Sequence, residues 1–198
     1  MARDTKEKIL EAALDVFSKD GYAGANISDI AAQVGIVKSA LYRHFDSKAA
    51  LWNALLDRMD AYYKERFGSV DTLPPIPQST QELLALTERM LRFTMYDEKI
   101  IACRKLLVTE QYRDEKAHRL VGEHFSDGLE ALFTVIFGKM AEQGLLEAGD
   151  PALAAFAFTA PISSLVQKSD REPEKRDELL AKALRFAGYF IGEHTKQL

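Results

Sequence analysis

A chain of 198 residues with 47% hydrophobic content can bury one or two substantial cores. Its single cysteine, Cys103, excludes an intramolecular disulfide framework and suits a packed thiol in a reducing cytoplasm. With 26 basic and 30 acidic side chains, net charge −4, it lacks a general basic coat for nucleic acid. It also has no apolar run long enough for a bilayer, and its charged start has no apolar signal core, so a targeting segment is not expected.

Apolar spacing is 3.6-like from end to end, and no stretch alternates with β-branched residues, which predicts an all-α fold. Helices are expected at 4–20, 27–34, 38–44, 48–67, 80–96, 98–112, 115–143, 150–168 and 174–194. The first carries Ile9, Ala13, Val16 and Phe17 and leaves through Gly21-Tyr22. The second places Ile27, Ile30, Ala31 and Val34 on one face. Asn26 is its predicted cap, with Asp29 in the first turn, and Gly35 supplies the left-handed backbone that opens a turn.

After that turn, about 100° per residue puts Val37, Leu41 and Phe45 on one side, facing the domain. Ser39 and Arg43 then point outward, flanked by Lys38 and Tyr42 on one side and by Ala40 and His44 on the other. Lys48 follows Ser47 at the start of the next helix, where its charge suits a phosphate oxygen. Two short helices around a tight turn, the second basic and aromatic, form an arrangement that reads DNA. Candidate DNA contacts are Asn26, Ser28, Lys38, Ser39, Ala40, Tyr42, Arg43, His44 and Lys48. Arg43 suits a two-bond contact to guanine O6 and N7. Residues 1–53 hold seven basic and seven acidic side chains, yet Lys38, Arg43 and Lys48 cluster against Asp46 alone. A handful of phosphate contacts per subunit is therefore expected.

Ile30-Ala31, Val34-Gly35, Lys38, Leu41-Tyr42, His44-Phe45 and Ser47-Lys48, with the upstream run, resemble the helix-turn-helix of the tetracycline-repressor (TetR) family of bacterial transcriptional regulators. The resemblance covers roughly residues 5 to 56 and is architectural beyond. Val37 and Ser39 depart from it, standing where the family commonly has Ser and Gly. Val37 has no side-chain group to cap a helix, and Ser39 adds a hydroxyl where glycine would admit DNA closely. The resemblance implies a helix-turn-helix DNA-binding domain over 1–50 and a helical effector-binding and dimerisation domain over 51–198. It also implies a homodimeric repressor that a small molecule releases from a partly palindromic operator.

The helix at 48–67 carries Leu51, Leu55, Met59 and Tyr63 at i+4 spacing, with Trp52, Leu56 and Tyr62 beside them. It would be about 30 Å long. A strut explains it, while the resemblance implies a lever. Pro74, Pro75 and Pro77 predict a linker over 68–79. Further on, Met90, Phe93, Tyr96, Tyr112, Phe125 and Phe133 suit either an apolar effector cavity or plain core. Arg104, Gln111 and His124 are candidate polar contacts for the same effector. His118 and His124, six apart, point to different sides of a helix, so no metal site is expected.

Residues 151–167 carry no charge. Asp150 and Pro151 suit the start of a helix, and Pro161 is expected to loosen it midway. The last helix offers Leu180, Leu184, Ala187, Phe190 and Ile191. These two apolar helices suit a two-fold dimer through Phe158, Ile162, Leu165 and those five positions, the competing reading being an internal core. A dimer would set two recognition helices roughly 34 Å apart, facing successive major grooves. No zinc-ligand spacing, phosphate-cradling loop, nucleophile elbow or carboxylate pair points to an enzyme, and no cofactor is expected. A helix-turn-helix used on a protein partner is the remaining alternative.

Overall fold

The computed structural model describes residues 2–67, 74–147 and 149–195. It consists of α1 (Ala2–Gly24), α2 (Ile27–Val34), α3 (Lys38–Tyr42), α4 (Lys48–Phe67), α5 (Thr80–Tyr96), α6 (Glu98–Glu110), α7 (Glu115–Phe125), α8 (Asp127–Glu142), α9 (Pro151–Arg171) and α10 (Arg176–Glu193). A 3-10 turn, Pro173–Lys175, leads into α10, and no strand occurs among the described residues. The fold is all-α, as its apolar spacing predicts. Of the linker expected over 68–79, residues 68–73 lie outside the described residues, and 74–77 carry no regular structure.

Packing groups the chain into two compact units, Met1–Arg66 with Ala102–Val121 and Phe67–Ile101 with Gly122–Leu198. In the first unit, Ile9, Ala13, Phe17, Ile30, Leu41, Leu51, Leu55 and Leu56 form a closed core. The ring of Phe17 meets Trp52 edge-on at 5.2 Å, and Tyr22 lies 5.1 Å from the same indole. The helical run of α1 is interrupted at Gly21, where φ is +68°, so the expected exit near residue 20 is a real break in backbone direction.

The corner between α6 and α7 belongs to this unit and is tied to it by polar contacts. The Glu110 carboxylate, itself buried, accepts the Tyr22 amide at 2.9 Å. Asp114 accepts the Trp52 indole N–H at 3.0 Å through one oxygen and caps α7 through the other, accepting the Ala117 amide at 2.8 Å. The Lys116 ammonium donates to the Asn53 carbonyl at 3.1 Å and to Asp57 at 2.6 Å.

In the second unit, α5, α8, α9 and α10 enclose Leu83, Met95, Phe133, Ile136, Phe137, Met140, Phe158 and Ala183. Phe133, Phe137, Phe158 and Phe190 interlock with centroid separations of 4.9 to 6.1 Å. The single helix expected over 115–143 is two, broken at Ser126 (φ −135°, ψ −90°). Gly128 explains the break locally, for a Cβ there would sit 1.8 Å from the Glu123 carbonyl oxygen, so the backbone folds back as only glycine allows. Pro161 lies inside one uninterrupted α9.

The positions expected at a dimer contact lie mostly on the inner side of α9 and α10. Phe158, Ile162, Leu180, Ala187 and Ile191 are buried inside this one chain, while Leu165, Leu184 and Phe190 pack half-buried against the same core. A broad apolar stripe on two adjacent helices is consumed by their packing on α5 and α8. It is the opposite face of α9 that stays open, with exposed Leu153, Phe156, Ala157, Ala160, Pro161 and Ser164 at helical spacing. Phe156 is 54% exposed.

Candidate nucleic-acid interface

The turn between α2 and α3 is fixed at both ends by local chemistry. Asn26 Oδ1 accepts the Ser28 amide at 2.9 Å, capping α2. At the other end Gly35 adopts φ +76° and ψ 30°. There the Gly35 amide donates to Ala32 O and the Ile36 amide to Ala31 O, each at 3.0 Å, satisfying carbonyls that the helix leaves open. Asp15 on α1 ties that helix to α2, accepting Lys19 Nζ at 2.8 Å and Gln33 Nε2 at 3.1 Å. Those two hydrogen bonds, Lys19 first, hold its carboxyl below the ordinary aspartate range.

Helix α3 is anchored by Leu41, fully buried, and by Phe45 just beyond it. Opposite that anchor Lys38, Ser39, Tyr42 and Arg43 are exposed, and Ala40 and His44 are half-buried at the margin. The helix ends at Tyr42 rather than at the expected residue 44. Arg43 and His44 instead ride on a closing turn, with the His44 amide on Leu41 O at 2.9 Å. Asn26 and Ser28 are also exposed, so eight of the nine candidates are exposed or half-buried on or beside α2 and α3.

Two positions depart from expectation. Val37 is 67% exposed rather than turned inward with Leu41. Its backbone is extended (φ −79°, ψ 151°), so counting 100° per residue starts one position too early and aims its side chain wrongly. Lys48 is engaged within the chain through two of its donors: its ammonium donates to Ala25 O at 2.6 Å and to Ala23 O at 3.2 Å, and stands 5.0 Å over the Tyr22 ring. Two of its three donors therefore hold the α1 exit against the start of α2 and α4.

The nine effector candidates are spread over both units. In the first, Arg104 is buried in the same unit as Tyr63. Tyr63 is half-buried as a residue, yet burial of its phenol end pushes it well above the usual tyrosine range, tempered by the Arg104 charge. Gln111 donates to Val108 O at 2.8 Å, and Tyr112 stands 86% exposed. In the second, Phe133 is plain core, the Tyr96 hydroxyl donates to the Asp177 carboxylate, and Met90 and Phe93 are half-buried on α5. His124 is buried, with the half-buried Phe125 ring edge-on to it at 6.2 Å. A small apolar recess in that unit is lined by Phe137, Leu146, Ala154, Phe190, Ile191 and His194, none of them among the nine.

Known proteins resemble the chain along both parts. A family model for bacterial regulatory proteins of the tetR family matches residues 9–55, and one for the C-terminal domain of AefR-like transcriptional repressors matches residues 81–171. The HTH-type transcriptional regulator TtgR of Pseudomonas putida is 32% identical over 110 residues, 55% of this chain and 49% of TtgR. IcaR, a negative transcriptional regulator of the biofilm operon icaADBC in Staphylococcus aureus, is 47% identical over 47 residues, 24% of this chain and 25% of IcaR. The chain thus matches about half the length of the first relative and a quarter of the second. Among solved structures, SmeT, the repressor of the Stenotrophomonas maltophilia multidrug efflux pump SmeDEF, superposes with a TM-score of 0.68 at 21% identity, covering 97% of this chain and 91% of SmeT. A TetR-family regulator from Agrobacterium tumefaciens gives 0.70 at 19% identity, covering 99% and 100%. At those identities the structures share the fold.

Proposed function

Because the chain belongs to the TetR family of bacterial transcriptional regulators, we propose that this DNA-binding regulator is a homodimeric repressor that a small-molecule effector releases from a partly palindromic operator. One observation carries the DNA-reading part. Buried Leu41 and Phe45 hold α3 so that Lys38, Ser39, Tyr42 and Arg43 face outward together. Arg43 supplies a forked donor for guanine, Lys38 a charge for phosphate, and the Tyr42 hydroxyl a second backbone contact. Lys48, engaged within the chain, serves as a staple of the reading surface, with its third donor left for phosphate.

The repressor sign follows relatives described as repressors or negative regulators. Dimerisation is supported by the uncharged outer face of α9. Among the described residues no helix is long and apolar enough to cross a membrane, which agrees with a regulator working on DNA in the cytoplasm.

The test is selection of duplexes from a random library with the purified chain, followed by titration of the winners. Arg43→Ala is expected to weaken binding about 5- to 150-fold and to relax preference at one base pair per half-site. Lys38→Ala should weaken all sequences alike and lower the salt slope by about one. Enrichment of no duplex, or affinity indifferent to salt, refutes the reading.

A further inference from the structure

Val37 is the most exposed large apolar side chain of the reading region, at 67%. It is also held firmly. Its carbonyl accepts the Ala40 amide at 2.9 Å and the Leu41 amide at 3.3 Å, and the buried Leu41 side chain pins that turn from behind. Branching at Cβ restricts χ1, so the two methyl groups are presented in few orientations. The next two residues, Lys38 and Ser39, are exposed beside it. Valine neither caps the helix nor donates to a phosphate, and no side-chain cap is found at this position. An isopropyl group brought against DNA on this face is desolvated most favourably by an apolar counterpart. The floor of the major groove presents donors, acceptors and one apolar group, the C5-methyl of thymine.

We propose that Val37 reads sequence, packing its methyl groups against the C5-methyl of one thymine in each half-site. The proposal rests on the DNA-reading assignment above. Six residues of near-helical rise separate Val37 from Arg43, roughly 9 Å, which places the thymine about two or three base pairs from the base that Arg43 contacts. Ser39, between them on the open side, reaches the intervening edge as donor or acceptor.

The experiment uses a duplex chosen by the wild-type chain from a random library. Each thymine is replaced singly by deoxyuridine, which removes the methyl and leaves base pairing intact. Wild-type protein should lose about three- to fivefold in affinity at one position per half-site, the effect of one lost methyl contact. Val37→Ala and Val37→Ser, both at an exposed position that leaves the core untouched, should bind thymine and deoxyuridine duplexes equally there. The sensitive position should lie within about three base pairs of the one relaxed by Arg43→Ala. An equal deoxyuridine penalty in wild type and Val37→Ala assigns the methyl to another side chain and overturns the proposal, as does the absence of any sensitive thymine. Failure to enrich any duplex overturns the DNA-reading assignment and this inference with it.

Discussion

Single residues set the turn of the reading region, and two glycines separate the causes of their cost. Gly35 has φ +76° with nothing within 4 Å of where a Cβ would stand, so only backbone strain opposes a side chain there. Gly35→Ala is expected to cost about 1 to 2 kcal/mol in urea unfolding, the ordinary penalty for an alanine held left-handed. Gly21 has a similar φ, +68°, but an added Cβ would lie 3.0 Å from a Glu110 oxygen. Gly21→Ala should therefore cost more than Gly35→Ala, because the carboxylate that accepts the Tyr22 amide must also move. Equal midpoints for the two variants would mean that Glu110 yields freely. Legibility differed at this scale. Gly35, the Asn26 cap and buried Leu41 could be read from local spacing, since each depends on neighbours within a turn or two. The internal engagement of Lys48 could not, because its partners Ala23 and Ala25 are carbonyls about 25 and 23 residues away that carry no side-chain signal.

Among elements, the corner between α6 and α7 belongs with α1 and α4 rather than standing apart from them. Asp114 does two jobs there, capping α7 and accepting the indole N–H of the chain's one tryptophan. Asp114→Ala removes both bonds, and a loss of about 2 kcal/mol is expected from one cap and one unsatisfied donor. The emission of Trp52 reports the change directly, since the indole N–H loses its partner. A variant with wild-type emission and unfolding midpoint would show that neither bond matters. Nothing in the spacing of 98–121 announces this docking: Glu110 and Asp114 look like solvated charges until the chain is folded. The same holds for the break at Ser126, where apolar periodicity runs on through both helices and only the close approach of Gly128 to Glu123 marks the bend.

For the whole molecule, the assignment of faces decides which surface remains for a partner. The inner stripes of α9 and α10 are used within the chain, so substitution of Phe158 or Ala187 should unfold it rather than split a dimer. Phe156, outward on α9, gives the cleaner test of the proposed association. Phe156→Glu is expected to keep helical content and to shift the protein to monomer in sedimentation, with DNA affinity falling because two half-sites are no longer held together. A wild-type chain that sediments as a monomer at micromolar concentration removes the dimer from the proposal.

By itself the sequence determined the all-α class, the cap and turn around α2, and which side chains of α3 stay exposed opposite Leu41, because these follow from contacts within a few residues. The tertiary structure alone decided which side of α9 and α10 is core, that Val37 faces out, and that Lys48, Glu110 and Asp114 bind within the chain. Periodicity tells that a helix has an apolar side; how much of that side is covered depends on partners distant in sequence.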